Sequence, residues 1–157
     1  MIDIEQYIWG FTPEGEVALI YVMINGNGQK AFLTNAASGV VNEQIIKEVK
    51  VDDYLRKDLK GKVVGSGVAE VLNGKIWEAR TEINRVVMSY TGDAGKGEQV
   101  YEVVYDLDEE GELEITLQAH TTDGVRMGIT NTLVSDSFDE VEVGEGLIYE
   151  RHLKYQL

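Results

Sequence analysis

The chemistry open to this chain starts with two histidines, His120 and His152, which change charge near neutral pH and could serve as acid or base. They stand far apart, with no partner at a fixed spacing. The 28 acidic residues offer carboxylate pairs of the kind that cleave glycosidic bonds, but the sequence selects no pair among them. Asp106-Leu107-Asp108-Glu109-Glu110-Gly111 has the start of a calcium loop, yet the twelfth position is Leu117 where a bidentate glutamate is required. It reads as a hairpin. Gly65-Ser66-Gly67 lacks the third glycine of a dinucleotide loop, because Glu70 takes that place, and no βαβ pattern surrounds it. With no cysteine, thiolate metal sites and thiol nucleophiles are excluded.

Two groups could contact a ligand. Thr130, Asn131 and Thr132 form a polar cluster in which Asn131 shares a strand face with Met127, Ile129 and Leu133. A polar side chain on an apolar face needs a partner, which a neighbouring loop or a ligand can provide. Trp77, Tyr90, Tyr101 and Tyr105 could stack on sugar rings, although their strand positions also suit core packing.

These residues must be positioned by strands. In Glu112 to His120, Leu113, Ile115, Leu117 and Ala119 alternate with polar neighbours, the period of a half-buried strand. Tyr101, Val103, Tyr105 and Leu107 line one side of the preceding segment, and Asp108 to Gly111 joins the two. Trp77 to Ile83, Val86 to Thr91 and Arg126 to Leu133, the last entered through an Asp123-Gly124 turn, complete an expected five-strand meander. Upstream, Tyr7 to Phe11, Val17 to Ile24 and Lys30 to Thr34 read as strands, the last two joined by Asn25-Gly26-Asn27-Gly28. The continuous apolar run Val17 to Ile24 suits burial on both faces. Val40 to Val51 reads as strand, with a short helix over Asn42 to Lys50 as the alternative, and Asp52 to Lys60 as a surface crossing with one helical turn around Tyr54 and Leu55. Lys62 to Leu72 reads as strand, Ser135 to Glu140 as a polar loop, and Leu147 to Tyr155 as a closing strand. Ten to twelve strands with little helix predict an all-β sandwich or barrel.

The 157 residues suit a single domain, residues 1–157. A formal net charge of −14 disfavours nucleic acid and anionic membrane surfaces as partners. No apolar run approaches the roughly 20 residues of a membrane span, and the N-terminal residues lack the pattern of a secretory signal, so the expected location is cytoplasmic.

The order of segments resembles the aldose 1-epimerases (galactose mutarotases). Phe11-Thr12-Pro13-Glu14-Gly15-Glu16, the apolar strand, Asn25-Gly26-Asn27-Gly28 and Phe32-Leu33-Thr34-Asn35 are similar to that family's opening. Gly61 to Lys75, Trp77-Glu78-Ala79, Val87-Met88-Ser89-Tyr90, Leu113-Glu114-Ile115 and Met127 to Thr132 continue the likeness. The resemblance implies an antiparallel β-sandwich of the mutarotase type, truncated to about half length, and no cofactor. Mutarotation needs a base for the anomeric proton and an acid for the ring oxygen. At the family's acid position this chain has Thr132, at its arginine positions Ser66 and Glu70, and the glutamate base would lie in a C-terminal half without counterpart here. The resemblance therefore carries over no catalytic residue. It implies a non-catalytic epimerase-like domain binding a carbohydrate or a protein, with Thr130, Asn131, Thr132, Ser66 and Trp77 as candidate substrate-binding residues. An active mutarotase with relocated acid and base, and a lipocalin-like barrel holding a small ligand, are the alternatives. A half-length sandwich exposes sheet edges and an apolar face, so a homodimer or a partner chain over that face is expected.

Overall fold

A computed structural model describes residues 2–56, 63–66, 75–93, 98–121, 125–131, 137–143 and 148–157. The strands are β1 (Asp3–Phe11), β2 (Val17–Ile24), β3 (Lys30–Thr34), β4 (Gly39–Val41), β5 (Val63–Ser66), β6 (Glu78–Glu82), β7 (Arg85–Asp93), β8 (Glu98–Leu107), β9 (Glu112–Thr121), β10 (Val125–Asn131), β11 (Ser137–Val143) and β12 (Ile148–Gln156). Two short helices, α1 (Glu43–Glu48) and α2 (Val51–Arg56), follow β4. Among the described residues all pairings are antiparallel, in sheets ordered β1-β2-β3-β4, β11-β10-β5 and β12-β9-β8-β7-β6.

The core follows from the alternation. Tyr101, Val103, Tyr105 and Leu107 of β8 and Leu113, Leu117 and Ala119 of β9 are buried, and pack with Val86 and Met88 of β7 against Tyr21, Met23, Ala31 and Leu33 of the four-stranded sheet. That is sandwich packing of two sheets. The other residues of β2 serve a second core: Ala18, Ile20 and Val22, with Val41, pack on Val51 and Tyr54 of α2. Burial on both faces explains why β2 reads as a continuous apolar run.

The loops obey their glycines. Gly28 and Gly111 both turn in the left-handed region, at φ 79° and 82°. The two hairpin tips lock together across the sheets. Asn25, buried, accepts from the amides of Asn27 and Gln29 at 3.0 Å each, and its amide donates to Gln29 Oε1 at 2.8 Å and to the carbonyl of Asp108 at 3.1 Å. Gly26 N–H donates to Glu109 Oε2 at 2.7 Å.

Several expectations change. Val40 to Val51 is a three-residue strand followed by α1, because the Asn42 side chain caps the helix by accepting from the Ile45 amide at 2.8 Å. α2 supplies the helical turn expected around Tyr54 and Leu55. β1 starts at Asp3, well before Tyr7, and β11 begins at Ser137, inside the expected polar loop. The meander has four strands in series, not five. Its next neighbour is β12, which pairs with β9 from Ile148↔His120 to Gln156↔Glu112, while β10 joins β5 and β11. Alternation reveals a strand's buried face but not its partner. The barrel alternative gives way to the sandwich, since the described strands form three separate sheets. The Asp123-Gly124 turn lies outside the described residues.

Candidate functional site

The expected ligand residues that are described lie on different elements. Trp77 is 1% exposed and wedged in the sandwich core, its ring centroid 5.8 Å from that of Tyr90 and 6.2 Å from that of Tyr101. Its amide donates to the carbonyl of Asn35 at 2.8 Å, so it pins the start of the meander to the turn after β3. Trp77 Nε1 has no hydrogen-bond partner among the described residues. Ser66 lies opposite Arg126 in the β5–β10 ladder, whereas Asn131 lies opposite Ser137 and Thr130 opposite Phe138. Arg126 and Asn131 are five residue steps apart along the strand, roughly 17 Å. Thr132 and Glu70 lie outside the described residues.

The histidines occupy the outward face of the five-stranded sheet. His120 is exposed opposite Ile148. His152, opposite Thr116, has its Nδ1 3.1 Å from Thr116 Oγ1 and 3.6 Å from Glu114 Oε1. His152 and Glu114 sit side by side on an exposed sheet surface, so no cleft separates them into acid and base on opposite sides of a substrate. Ion pairs crowd the same face: Arg85 Nε is 3.2 Å from Asp106 Oδ1, and Lys154 Nζ is 3.9 Å from both Glu112 and Glu114. Burial raises the Asp106 carboxyl above its ordinary value, and Arg85 only partly opposes that. A shallow pocket of about 100 Å³ lies here, lined by Glu78, Arg80, Val87 and Ser89 among others. No cluster of three or more metal-ligating side chains occurs among the described residues.

Two concavities larger than this one lie elsewhere, around α1. A groove of about 320 Å³ is lined mainly by apolar side chains, including Tyr7, Trp9, Ile20, Phe32 and Ile46. A second, of about 610 Å³, runs from Trp9 through Phe11 and Pro13 to the residues joining α1 to α2. Trp9 separates them: its Nε1 donates to the carbonyl of Ile46 at 3.1 Å, which ties α1 to β1. Three large apolar residues of β1 beside these grooves face water, Tyr7 at 53%, Ile8 at 65% and Phe11 at 62% exposure. The sequence singled out Tyr7 to Phe11 only as a short aromatic strand. Its available signal was that adjacent residues Tyr7, Ile8 and Trp9 are all apolar, which a one-faced strand does not need.

Compared with solved structures, the chain superposes on galactose 1-epimerase from Lactobacillus acidophilus NCFM with a TM-score of 0.64 and 11% sequence identity. The match covers 82% of this chain and 52% of the epimerase. The fold is galactose mutarotase-like. At that identity the likeness establishes architecture alone, and the epimerase-like fold is present here over about half the length of the enzyme. No protein-family model and no curated protein sequence matches the chain. Among the described residues, no helix is long and apolar enough to cross a membrane.

Proposed function

We propose that this chain is a non-catalytic domain on an epimerase-like fold that engages a protein partner through the grooves beside β1 and α1. The observation that carries the reading is the exposure of Tyr7, Ile8 and Phe11 on one strand, next to two concavities of about 320 and 610 Å³. Tyr7 and Ile8 line one concavity and Phe11 the other, and large apolar residues gathered at a concave surface mark interaction sites, whereas scattered exposed residues do not. The non-catalytic half is supported by chemistry. Mutarotation needs acid and base on one sugar ring, and the positions that resemble the family's proton-handling segments carry Thr132, Ser66 and Glu70.

Two measurements test it. Saturation-transfer NMR between the anomers of galactose should show exchange no faster than in buffer; acceleration would overturn the non-catalytic half. A displayed peptide library selected on the wild-type protein should yield binders that lose the Ile8→Lys, Phe11→Lys double variant. Binders indifferent to that variant would overturn the location.

Carbohydrate binding is the second reading. It is favoured by the shallow pocket of Glu78, Arg80 and Ser89, whose donors and acceptors suit sugar hydroxyls, and by the sugar-acting name of the similar structure. A glycan array with an Arg80→Ala control tests it: binding lost in the variant supports it, and an empty array removes it.

A further inference from the structure

We infer that the occupant of this surface is an extended, cationic peptide segment that adds as a fifth strand to the free edge of β1, an inference that rests on the reading above. Among the described residues, in the order β1-β2-β3-β4, β1 has β2 on one side only. Among the described residues no neighbour hydrogen-bonds to the backbone of Asp3 to Ile8 on the other. The register shifts between Ile8 and Gly10, and beyond it α2 closes in: a Cβ on Gly10 would stand 3.0 Å from Val51 Cγ2. The usable edge therefore runs from Asp3 to Ile8.

Natural edge strands are protected by charges, lysine above all, by proline, by bulges, or by brevity. This one runs nine residues with no lysine or proline, its register shift lies beyond Ile8 and leaves Asp3 to Ile8 regular, its charges Asp3 and Glu5 repel acidic but not basic strands, and it ends in exposed apolar side chains. Such an edge is a template for strand addition, in which main-chain bonds give affinity and pockets for alternate side chains give specificity. The groove of Tyr7, Trp9, Phe32 and Ile46 is one such pocket beside the edge.

Charge selects the partner. The exposed charges of β1 are Asp3 and Glu5, and Glu43, Glu48 and Asp52 rim the grooves against Lys47 and Lys50, with Lys47 4.0 Å from Glu43. With −14 on the whole chain, a second copy meets like-charge repulsion at this edge, while lysine-bearing peptide is attracted.

The test uses an acetylated octapeptide alternating lysine with valine, its glutamate-for-lysine twin, and a twin with proline at two central positions. Binding to the full chain is followed by amide exchange and by titration at low and high salt. The lysine peptide should protect amides of Asp3 to Ile8, weaken with salt, and bind the folded Ile8→Lys variant roughly tenfold more weakly. The other two peptides should bind at least tenfold more weakly than the first. Equal binding by the proline twin overturns strand addition while leaving the groove reading in place. Equal binding by the glutamate twin overturns the charge argument. Concentration-dependent dimerisation lost in Ile8→Lys replaces the peptide with a second copy. No change anywhere on β1 overturns the inference.

Discussion

The indole of Trp9 meets the phenol ring of Tyr54 edge-on, with ring centroids 5.0 Å apart and planes at 63°. This contact joins β1, the most exposed strand edge of the four-stranded sheet, to α2, while the same indole holds α1 through the Ile46 carbonyl. One side chain thus fixes both helices over the outer core and gives the two grooves their common wall. Trp9→Phe keeps an aromatic face but loses the donor. It should cost about 1 kcal/mol in denaturant unfolding, and loosen α1, read as faster amide exchange at Ile46 and Val49. Unchanged exchange would show that α1 is held by packing alone.

Asn25 binds the β2–β3 hairpin to the β8–β9 hairpin. Asn25→Ala leaves the amides of Asn27 and Gln29 and the Asp108 carbonyl short of a partner, and should cost about 2 to 3 kcal/mol in urea unfolding. Asn25→Asp retains the acceptor and loses the donor, so its cost should be smaller at neutral pH. A larger loss in the aspartate variant would assign the stability to the Asp108 bond.

The Asp106 carboxyl is raised by burial, with Glu114 and Glu82 adding to the shift and Arg85 opposing it. A carboxyl whose folded value lies above its unfolded one favours the protonated folded state. Its contribution is complete below the ordinary value of 3.8 and is lost as pH rises through the folded value. Comparing stability against pH for the wild type and Asp106→Asn should show the wild type losing ground across that acidic window. An NMR titration placing Asp106 at or below 3.8 would contradict this.

Burial pushes the Tyr101 hydroxyl up to about 12 from 10.0. Because the folded value is the higher one, its contribution is intact below pH 10 and disappears as pH rises toward 12. Alkaline unfolding should therefore coincide with tyrosinate absorbance from this residue. Tyr101→Phe should move the alkaline midpoint upward, and an unmoved midpoint would place the trigger elsewhere.

The local pieces of the fold were legible because local physics makes them. Asn25-Gly26-Asn27-Gly28 and Asp108 to Gly111 supply positive φ where hairpins need it, and Leu113, Leu117 and Ala119 are buried as their spacing requires. α1 was ambiguous because Asn42 is equally at home in a turn and at a helix N-cap, and the helix buries no residue fully.

The sequence alone determined that the chain is a β-protein with aromatic strands and a strong negative charge, since alternation, turn chemistry and composition are properties of neighbours along the chain. Tertiary structure decided that β12, and not β10, lies beside β9, that Trp77 is in the core, and that Tyr7, Ile8 and Phe11 remain at the surface. Those outcomes depend on which distant strand completes a ladder and which sheet covers a face, and a period of two is blind to both.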